Sequence, residues 1–539
     1  MKEKILSGLF FLVSVFCGFL YNPEVFRSAH GPQLIYFGFL YACLFLFCSL
    51  LFARWKKMGT VCIFLLHGIG LGLTYFYWVY GRILTYDVLA AMLEANAFEI
   101  KSFLSIPLVV TAILAIVISI VHAYLLRFVR ISNKRWIASS LLLISSFLIL
   151  KEGGKLYIDK TDPESPLRMY LATRNIVPLS FFSVFKTYWV EEEKSQRLAS
   201  LPSPAELASQ CGADKPIVVL VLGESARGDH FSVNGYGRKT NPQLEQVNHI
   251  INLGIARSFA VQTRNSLIGM LTNATEENRV PTMGSFIPLF NKHGFMTCFY
   301  SRQNKLGRSG HLTDALIGSS KDIRYFSSPT DQDLLKETEP LFKTYQHGLL
   351  LLLHTTGSHY DYRGNYTDTF KVFAPDEYTP ESMMEHRQNV INAYDNTIVK
   401  TDDFLAKLYA QLKDYDAIVV YVSDHGQLLG EHGRFLHAIG GTGTEYPEQK
   451  NIPFFFWYSD LFAEKHGDIV AALKQASTSG KIFTHDYLYH TVIALGGIRS
   501  KAVEPQLDIT DWEPSIDFRR IFSNKKTSSG SGMSFCYFP

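Results

Sequence analysis

The sequence predicts two joined architectures: a membrane domain of five transmembrane α-helices, then an α/β domain outside the cytoplasm. Three observations predict it. Five apolar stretches fill the first 150 of the 539 residues. From Pro216 onward, short apolar runs alternate with helical segments. Side chains able to hold a metal stand at the ends of three of those runs. The expected layout is residues 1–150 in the membrane, 151–215 as interfacial helices and linker, 216–525 as the soluble domain and 526–539 as a disordered tail.

The apolar stretches are Ile5–Tyr21, Leu34–Ala53, Met58–Tyr80, Phe103–Leu126 and Trp136–Leu150. Several reach the roughly 20 residues that a helix needs to cross a bilayer. No small-residue cleavage site follows the first and more spans come after it, so it is read as a span rather than a signal peptide. Lys2 and Lys4, then Arg54, Lys56 and Lys57, then Arg127, Arg130, Lys134 and Arg135 fall on one side if all five cross. Positive loops stay cytoplasmic. An odd number of spans then puts everything after Leu150 on the other face, which in a Gram-negative cell is the periplasm. Residues 81–102, with helical periodicity, and Asn175–Glu193 both read as lying on the membrane surface, and Lys194–Lys215 as a polar linker.

In the soluble half, "PIVVLVLGES", "FMTCFYS", "GLLLLLHTTGSH", "AIVVYVSDHG" and "IPFFFWYSD" are nearly continuous apolar runs, as in strands covered on both faces. Helical stretches such as "PESMMEHRQNVINAYDNTIVKTDDFLAKLYAQLK" lie between them, which argues for a largely parallel sheet with its ligand site beyond the carboxyl ends of the strands. Composition excludes other classes. Net charge is +3 with no basic block, so nucleic acid is not an expected partner. Seven cysteines, four of them in apolar segments, give no disulfide framework, and Cys298 reads as a buried free thiol.

The chemistry is concentrated at the strand ends. The first run ends in Glu224 and Ser225, another in His354 with His359 in the following loop, and a third in Asp424 and His425. In "SDHGQLLGEHGRFLH", Asp424, His425, Glu431, His432 and His437 fall within fourteen positions. A single His or Asp after a strand is usually a cap or turn residue. Several converging on one edge make a set that zinc accepts, with a position left open for chemistry. A nucleophile is needed beside it, and "SFAVQTRNSLIGMLTNAT" offers Thr263, Ser266 and Thr272. Spacing alone does not choose among them.

The motif "GESARGDHFSVNGYGRKTNPQL" together with "SDHGQLLGEHGRFLH", "LHTTGSH" and "HDYLYHTVIALGGI" resembles the phosphoethanolamine transferases that decorate lipopolysaccharide, the group that includes the mobile colistin-resistance enzymes. The resemblance covers nearly the whole chain. It implies a catalytic domain of the alkaline phosphatase and sulfatase type and a Zn2+ held by Glu224, Thr263, Asp424 and His425. Thr263, Ser266 and Met270 fit the family's register for the nucleophile, which selects Thr263. His359 and His437 match residues that contact the phosphate or a second zinc, for which His432 is a further candidate ligand. Asn304 and Arg308 align with the loop that binds phosphoethanolamine. The implied reaction takes phosphoethanolamine from phosphatidylethanolamine onto Thr263, releases diacylglycerol, and passes the group to lipid A or a core sugar of lipopolysaccharide. A monomeric inner-membrane enzyme that weakens attraction for cationic antimicrobial peptides is the expectation.

Four positions depart from the family pattern. Phe259 and Gly269 occupy the places of a common disulfide, Arg264 follows the threonine where a small residue is usual, and Gln427 replaces a common Glu. Two rival readings remain. A phosphoglycerol transferase or another phospho- or sulfo-ester hydrolase could use the same scaffold, although the C/S-x-P-x-R nucleophile motif of common sulfatases is absent around Thr263. A catalytically dead membrane sensor would have lost ligands, and all four are present.

Overall fold

The computed structural model describes residues 2–23, 25, 29–80, 89, 93, 104–161, 176–177, 179–303, 305, 311–327, 330–437 and 446–511. The surface segment expected at 81–102 lies almost wholly outside them, and the expected tail lies entirely outside them.

Five helices among the described residues are long and apolar enough to cross a membrane: α1 (Lys2–Leu20), α2 (Pro32–Arg54), α3 (Lys56–Tyr80), α4 (Ile106–Leu126) and α5 (Asn133–Thr161). Ile106, Val109, Ile113, Ile116 and Ile120 of α4 are exposed, as side chains that face lipid would be. Inside the bundle, where unpaired polar groups are costly, Tyr21, His67, His122 and Ser14 form a chain of hydrogen bonds linking α1, α3 and α4. Helix α5 runs past the expected end at residue 150, and Gly154 does not stop it. That glycine makes room for Tyr36 of α2: a β-carbon there would lie 2.0 Å from the Tyr36 hydroxyl, which donates to the Leu150 carbonyl.

The connector holds α6 (Leu179–Leu198), which extends beyond the expected surface segment. The expected linker is partly structured, because Ser209–Cys211 pairs antiparallel with Ile498–Ser500.

The soluble half is built on seven strands: β1 (Ile217–Gly223), β2 (Ile250–Arg257), β3 (Met296–Ser301), β4 (Asp322–Tyr325), β5 (Leu349–His354), β6 (Ala417–Ser423) and β7 (Asn451–Tyr458). Their order is β2-β7-β6-β1-β5-β3-β4. Strands β6, β1, β5, β3 and β4 run parallel, whereas β7 is antiparallel to both neighbours. All seven residues of β1 are buried. Val218, Leu220 and Leu222 join one apolar cluster and Ile217, Val219 and Val221 the other, because successive side chains take opposite faces. Each fully buried Val or Leu contributes about 1.5–3 kcal/mol. Helices α7 (Thr263–Leu271) and α9 (Leu488–Leu495) cover the first face and α8 (Arg387–Leu412) the second.

Two strands of this sheet were not expected from the sequence. β2 alternates half-buried and buried residues with Asn252 and Gly254 inside it, and β4 is a four-residue edge. The run "IPFFFWYSD" is a strand as expected, but because β7 is reversed its carboxyl end lies away from the site edge. β7 instead brings its first residue, Asn451, opposite Arg257 at the end of β2.

The two halves touch. Phe76 and Val79 of α3 pack against the second soluble cluster, and Tyr75 and Ser105 both donate to Glu381.

Candidate active site

Four chain segments converge at one edge of the sheet. β1 ends at Gly223, and Glu224 and Ser225 follow; β6 ends at Ser423, and Asp424 and His425 follow. From β5 the chain passes through Gly357 to His359, and from β2 it turns into α7, whose first residue is Thr263. Two backbone positions make this crowding feasible. Ser225 takes a left-handed φ of 55°, which lets its N–H donate to Asp424 Oδ1 at 2.9 Å and its hydroxyl to Glu224 Oε1 at 2.6 Å. Gly357 has φ 50°, and a β-carbon there would stand 2.6 Å from the Glu224 carbonyl oxygen.

Glu224, Asp424 and His425 each offer a ligand atom, all within 4.8 Å of one another, and all three residues are buried. Of the three hydroxyls left open by spacing, only Thr263 reaches them. Its Oγ1 donates to Glu224 Oε2 at 3.0 Å and lies 3.3 Å from His425 Nε2. Ser266 donates to the Ala260 carbonyl and Thr272 to that of Ile268.

The electrostatics ask for a cation. His425 Nδ1 lies 2.8 Å from the Gly426 carbonyl, which can only accept, so the ring proton sits there. Nε2 therefore turns its lone pair toward Asp424 Oδ2 at 3.2 Å and Glu224 Oε1 at 3.6 Å. Such a set repels itself unless positive charge stands among it. Asp424 Oδ2 is buried with no hydrogen bond. Burial first, then the Glu224 charge, push the Asp424 carboxyl well up. Burial pushes Glu224 the same way, but its carboxyl comes down, with hydrogen bonds from the Ser225 hydroxyl and the Gln303 amide favouring its charged form. Two carboxylates, one imidazole nitrogen and a hydroxyl fit a divalent cation of the zinc type.

The other expected residues are distributed unevenly. The His437 ring lies 4.2 Å from that of His425 and 6.1 Å from that of His359, centroid to centroid, so both histidines line the site. Gln427, the residue found where Glu is common, orients His437: its Oε1 is 2.8 Å from Nδ1, and its Nε2 donates to the Tyr362 hydroxyl. His432 is not in the cluster. It is half-exposed, stacked on Tyr446, with Nε2 3.4 Å from Glu448. Glu431 binds Arg227 and the Leu429 N–H. His354 is a core residue, its Nδ1 3.1 Å from the Ser301 hydroxyl and its ring beside Phe299. Asn304 and Arg308 lie outside the described residues.

One site residue was missed from the sequence. Gln303 Nε2 donates to Glu224 Oε2 at 2.9 Å and to the Thr355 carbonyl at 2.7 Å. It stands just past the carboxyl end of β3, so the strand-end rule that singled out Glu224 would also have singled it out.

The comparisons with known proteins agree with this geometry. The Sulfatase family model matches residues 216–498, more than half of the chain, and the chain belongs to that family. Its relatives are phosphoethanolamine transferases, as the motifs imply. The Kdo(2)-lipid A phosphoethanolamine 7''-transferase of Salmonella typhimurium strain LT2 is 25% identical over 93% of this chain and 95% of its own length. The phosphatidylethanolamine transferase Mcr-1 of Escherichia coli is 27% identical over 86% of this chain and 88% of its own. Among solved structures, the integral membrane lipooligosaccharide phosphoethanolamine transferase A of Neisseria meningitidis superposes with a TM-score of 0.75. It covers 94% of this chain and 98% of its own at 22% identity, and so shares the fold of both halves.

Proposed function

We propose that the protein transfers phosphoethanolamine from phosphatidylethanolamine to lipopolysaccharide, at lipid A or a core sugar, through a phosphoethanolamine-threonine intermediate on Thr263. It is an inner-membrane protein with its catalytic domain in the periplasm. The observation that carries the reading is that Thr263, alone of the three candidate hydroxyls, touches both Glu224 and His425. Relatives named as transferases of phosphoethanolamine or phosphatidylethanolamine, matched over most of the chain, supply the group transferred and its lipid donor.

Glu224, Asp424, His425 and Thr263 would hold zinc, which when bound supplies positive charge that lowers the pKa of a coordinated oxygen and screens charge on the reacting phosphoryl group. The residues do the rest. Thr263 opens α7, so a phosphate in front of it meets the N–H groups and positive dipole end of a helix. The threonine oxygen attacks phosphorus, the bond from phosphorus to the diacylglycerol oxygen breaks, and diacylglycerol leaves with a proton. His359 and His437 bind the phosphate or carry that proton. An acceptor hydroxyl or phosphate oxygen on lipopolysaccharide then attacks the same phosphorus, the bond to Thr263 breaks, and the threonine oxygen takes up the proton that the acceptor gives up.

Full-length protein in liposomes separates this reading from the phosphoglycerol transferase one. Diacylglycerol release from phosphatidylethanolamine, with none above background from phosphatidylglycerol, is the expected result. The reverse preference refutes it.

A further inference from the structure

Arg264 follows the threonine in a place where the family resemblance leads one to expect a small residue, and its guanidinium bonds a helix outside the catalytic fold. Arg264 Nη2 donates to Glu192 Oε2 at 2.6 Å, and the two side chains are only 5% and 2% exposed. Glu192 belongs to α6. That helix exposes Leu179, Phe182, Phe185 and Trp189 along one strip, the pattern of a helix lying in a membrane surface. The same helix buries Tyr188 in a cluster with Leu73 and Phe76 of the transmembrane helix α3. The ion pair thus joins the first turn of α7 to a helix that also packs on a membrane span.

A buried ion pair is a weak source of stability, because removing two charges from water offsets most of their attraction. Its strength is direction: a guanidinium and a carboxylate fix both partners in angle as well as distance. The turn before Thr263 is held locally by the Ser258 and Ser266 hydroxyls, which donate to the Ala260 carbonyl, and by the Phe259 N–H, which donates to His485; the ion pair adds a tie from outside the catalytic fold. The disulfide positions hold Phe259 and Gly269, and the Phe259 ring lies where a β-carbon of residue 269 would come within 2.4 Å of it. That contact packs the turn within the catalytic domain, whereas the ion pair reaches out to α6.

We propose that Arg264 and Glu192 are positioning residues that tie the nucleophile to the membrane-surface helix, so that the Thr263 hydroxyl faces the carboxylates when α6 is seated at the headgroup level. The proposal rests on Thr263 being the nucleophile, and it deepens that reading by making the placement of the nucleophile depend on the lipid surface that carries the donor.

The test uses full-length protein in phosphatidylethanolamine liposomes, with Glu192→Gln and the paired apolar replacement Glu192→Leu/Arg264→Met. The paired variant removes both charges together and so keeps the fold. Amide hydrogen exchange across residues 258–272 needs no turnover and reads the tie directly. Both variants are expected to exchange faster there, with β1 unchanged. Their kcat is expected to fall about 10- to 100-fold, the effect of a small misplacement of a reacting group, while the donor KM stays within about twofold. Unchanged exchange, or faster exchange with wild-type kcat, overturns the proposal. If the wild type transfers nothing, the functional reading fails, and the exchange result alone then decides whether the tie exists.

Discussion

At the scale of single residues, the site is a set of buried charges that calls for a positive one among them. Glu224, Asp424 and His425 were legible in the sequence because each follows directly on an apolar run, and strand ends in such sheets share an edge. Gln303 was passed over because an amide carries no metal signal by itself. Its hydrogen bond to Glu224 Oε2 fixes the orientation of that carboxylate. Gln303→Ala is expected to weaken zinc affinity about 10- to 100-fold, read by competition with a chromogenic chelator, while the unfolding temperature of the metal-free protein stays close to wild type. Buried imidazoles set a second expectation. His485 accepts the Phe259 N–H at Nδ1 and donates from Nε2 to the Ser423 carbonyl, so a second proton has no place to sit. Burial holds His485 down to about 3, and His354 and His490 down to about 4. Each folded value lies below the ordinary one near 6.5, so the unfolded chain binds more protons as pH falls through that window. Stability is therefore present above about pH 6.5 and is lost toward pH 4, at up to about 1.4 kcal/mol per pH unit for each imidazole. Thermal unfolding of the chelator-treated protein from pH 7.5 to 4.5 checks it, and a flat profile contradicts it.

At the scale of elements, periodicity found what was buried on both sides and missed what was not. The five runs read as strands are strands, since continuous apolar sequence of that length suits the middle of a covered sheet. β2 escaped because polar residues and Gly254 interrupt it, and β4 because it is short and half-exposed at the edge. Neither carries metal ligands, but β2 delivers Thr263 to the site edge. The reversal of β7 was beyond the reach of pattern, because a buried strand looks the same in both directions. The nucleophile turn shows packing standing in for a covalent staple. Phe259 lies against the bare α-carbon of Gly269, so Gly269→Ala forces the ring aside. The expected cost is about 1–3 kcal/mol, a typical overpacking penalty, seen as a lower unfolding temperature. An unchanged temperature means that the turn tolerates the methyl and that the contact is not a constraint.

At the scale of the whole molecule, the membrane half and the catalytic domain are in contact at several points. The outer end of α3 packs on the soluble core through Phe76 and Val79, and α6 reaches the first turn of α7 through Glu192 and Arg264. The five spans and their charge asymmetry were plain in the sequence, since a helix of about twenty apolar residues matches the thickness of a bilayer core and is too greasy all round for water. The contacts between the halves were not, because they depend on single side chains such as Glu381 and Glu192 that look like ordinary solvated charges until the fold buries them or brings partners to them. The central claim is that Thr263 carries the phosphoethanolamine group between lipid and acceptor. Peptide mass spectrometry of full-length protein incubated with phosphatidylethanolamine, in the absence of lipopolysaccharide, tests it most directly. The account predicts one added phosphoethanolamine on the peptide containing Thr263, lost when acceptor is supplied and absent from Thr263→Ala. An adduct on another residue, or continued transfer by Thr263→Ala, would contradict it.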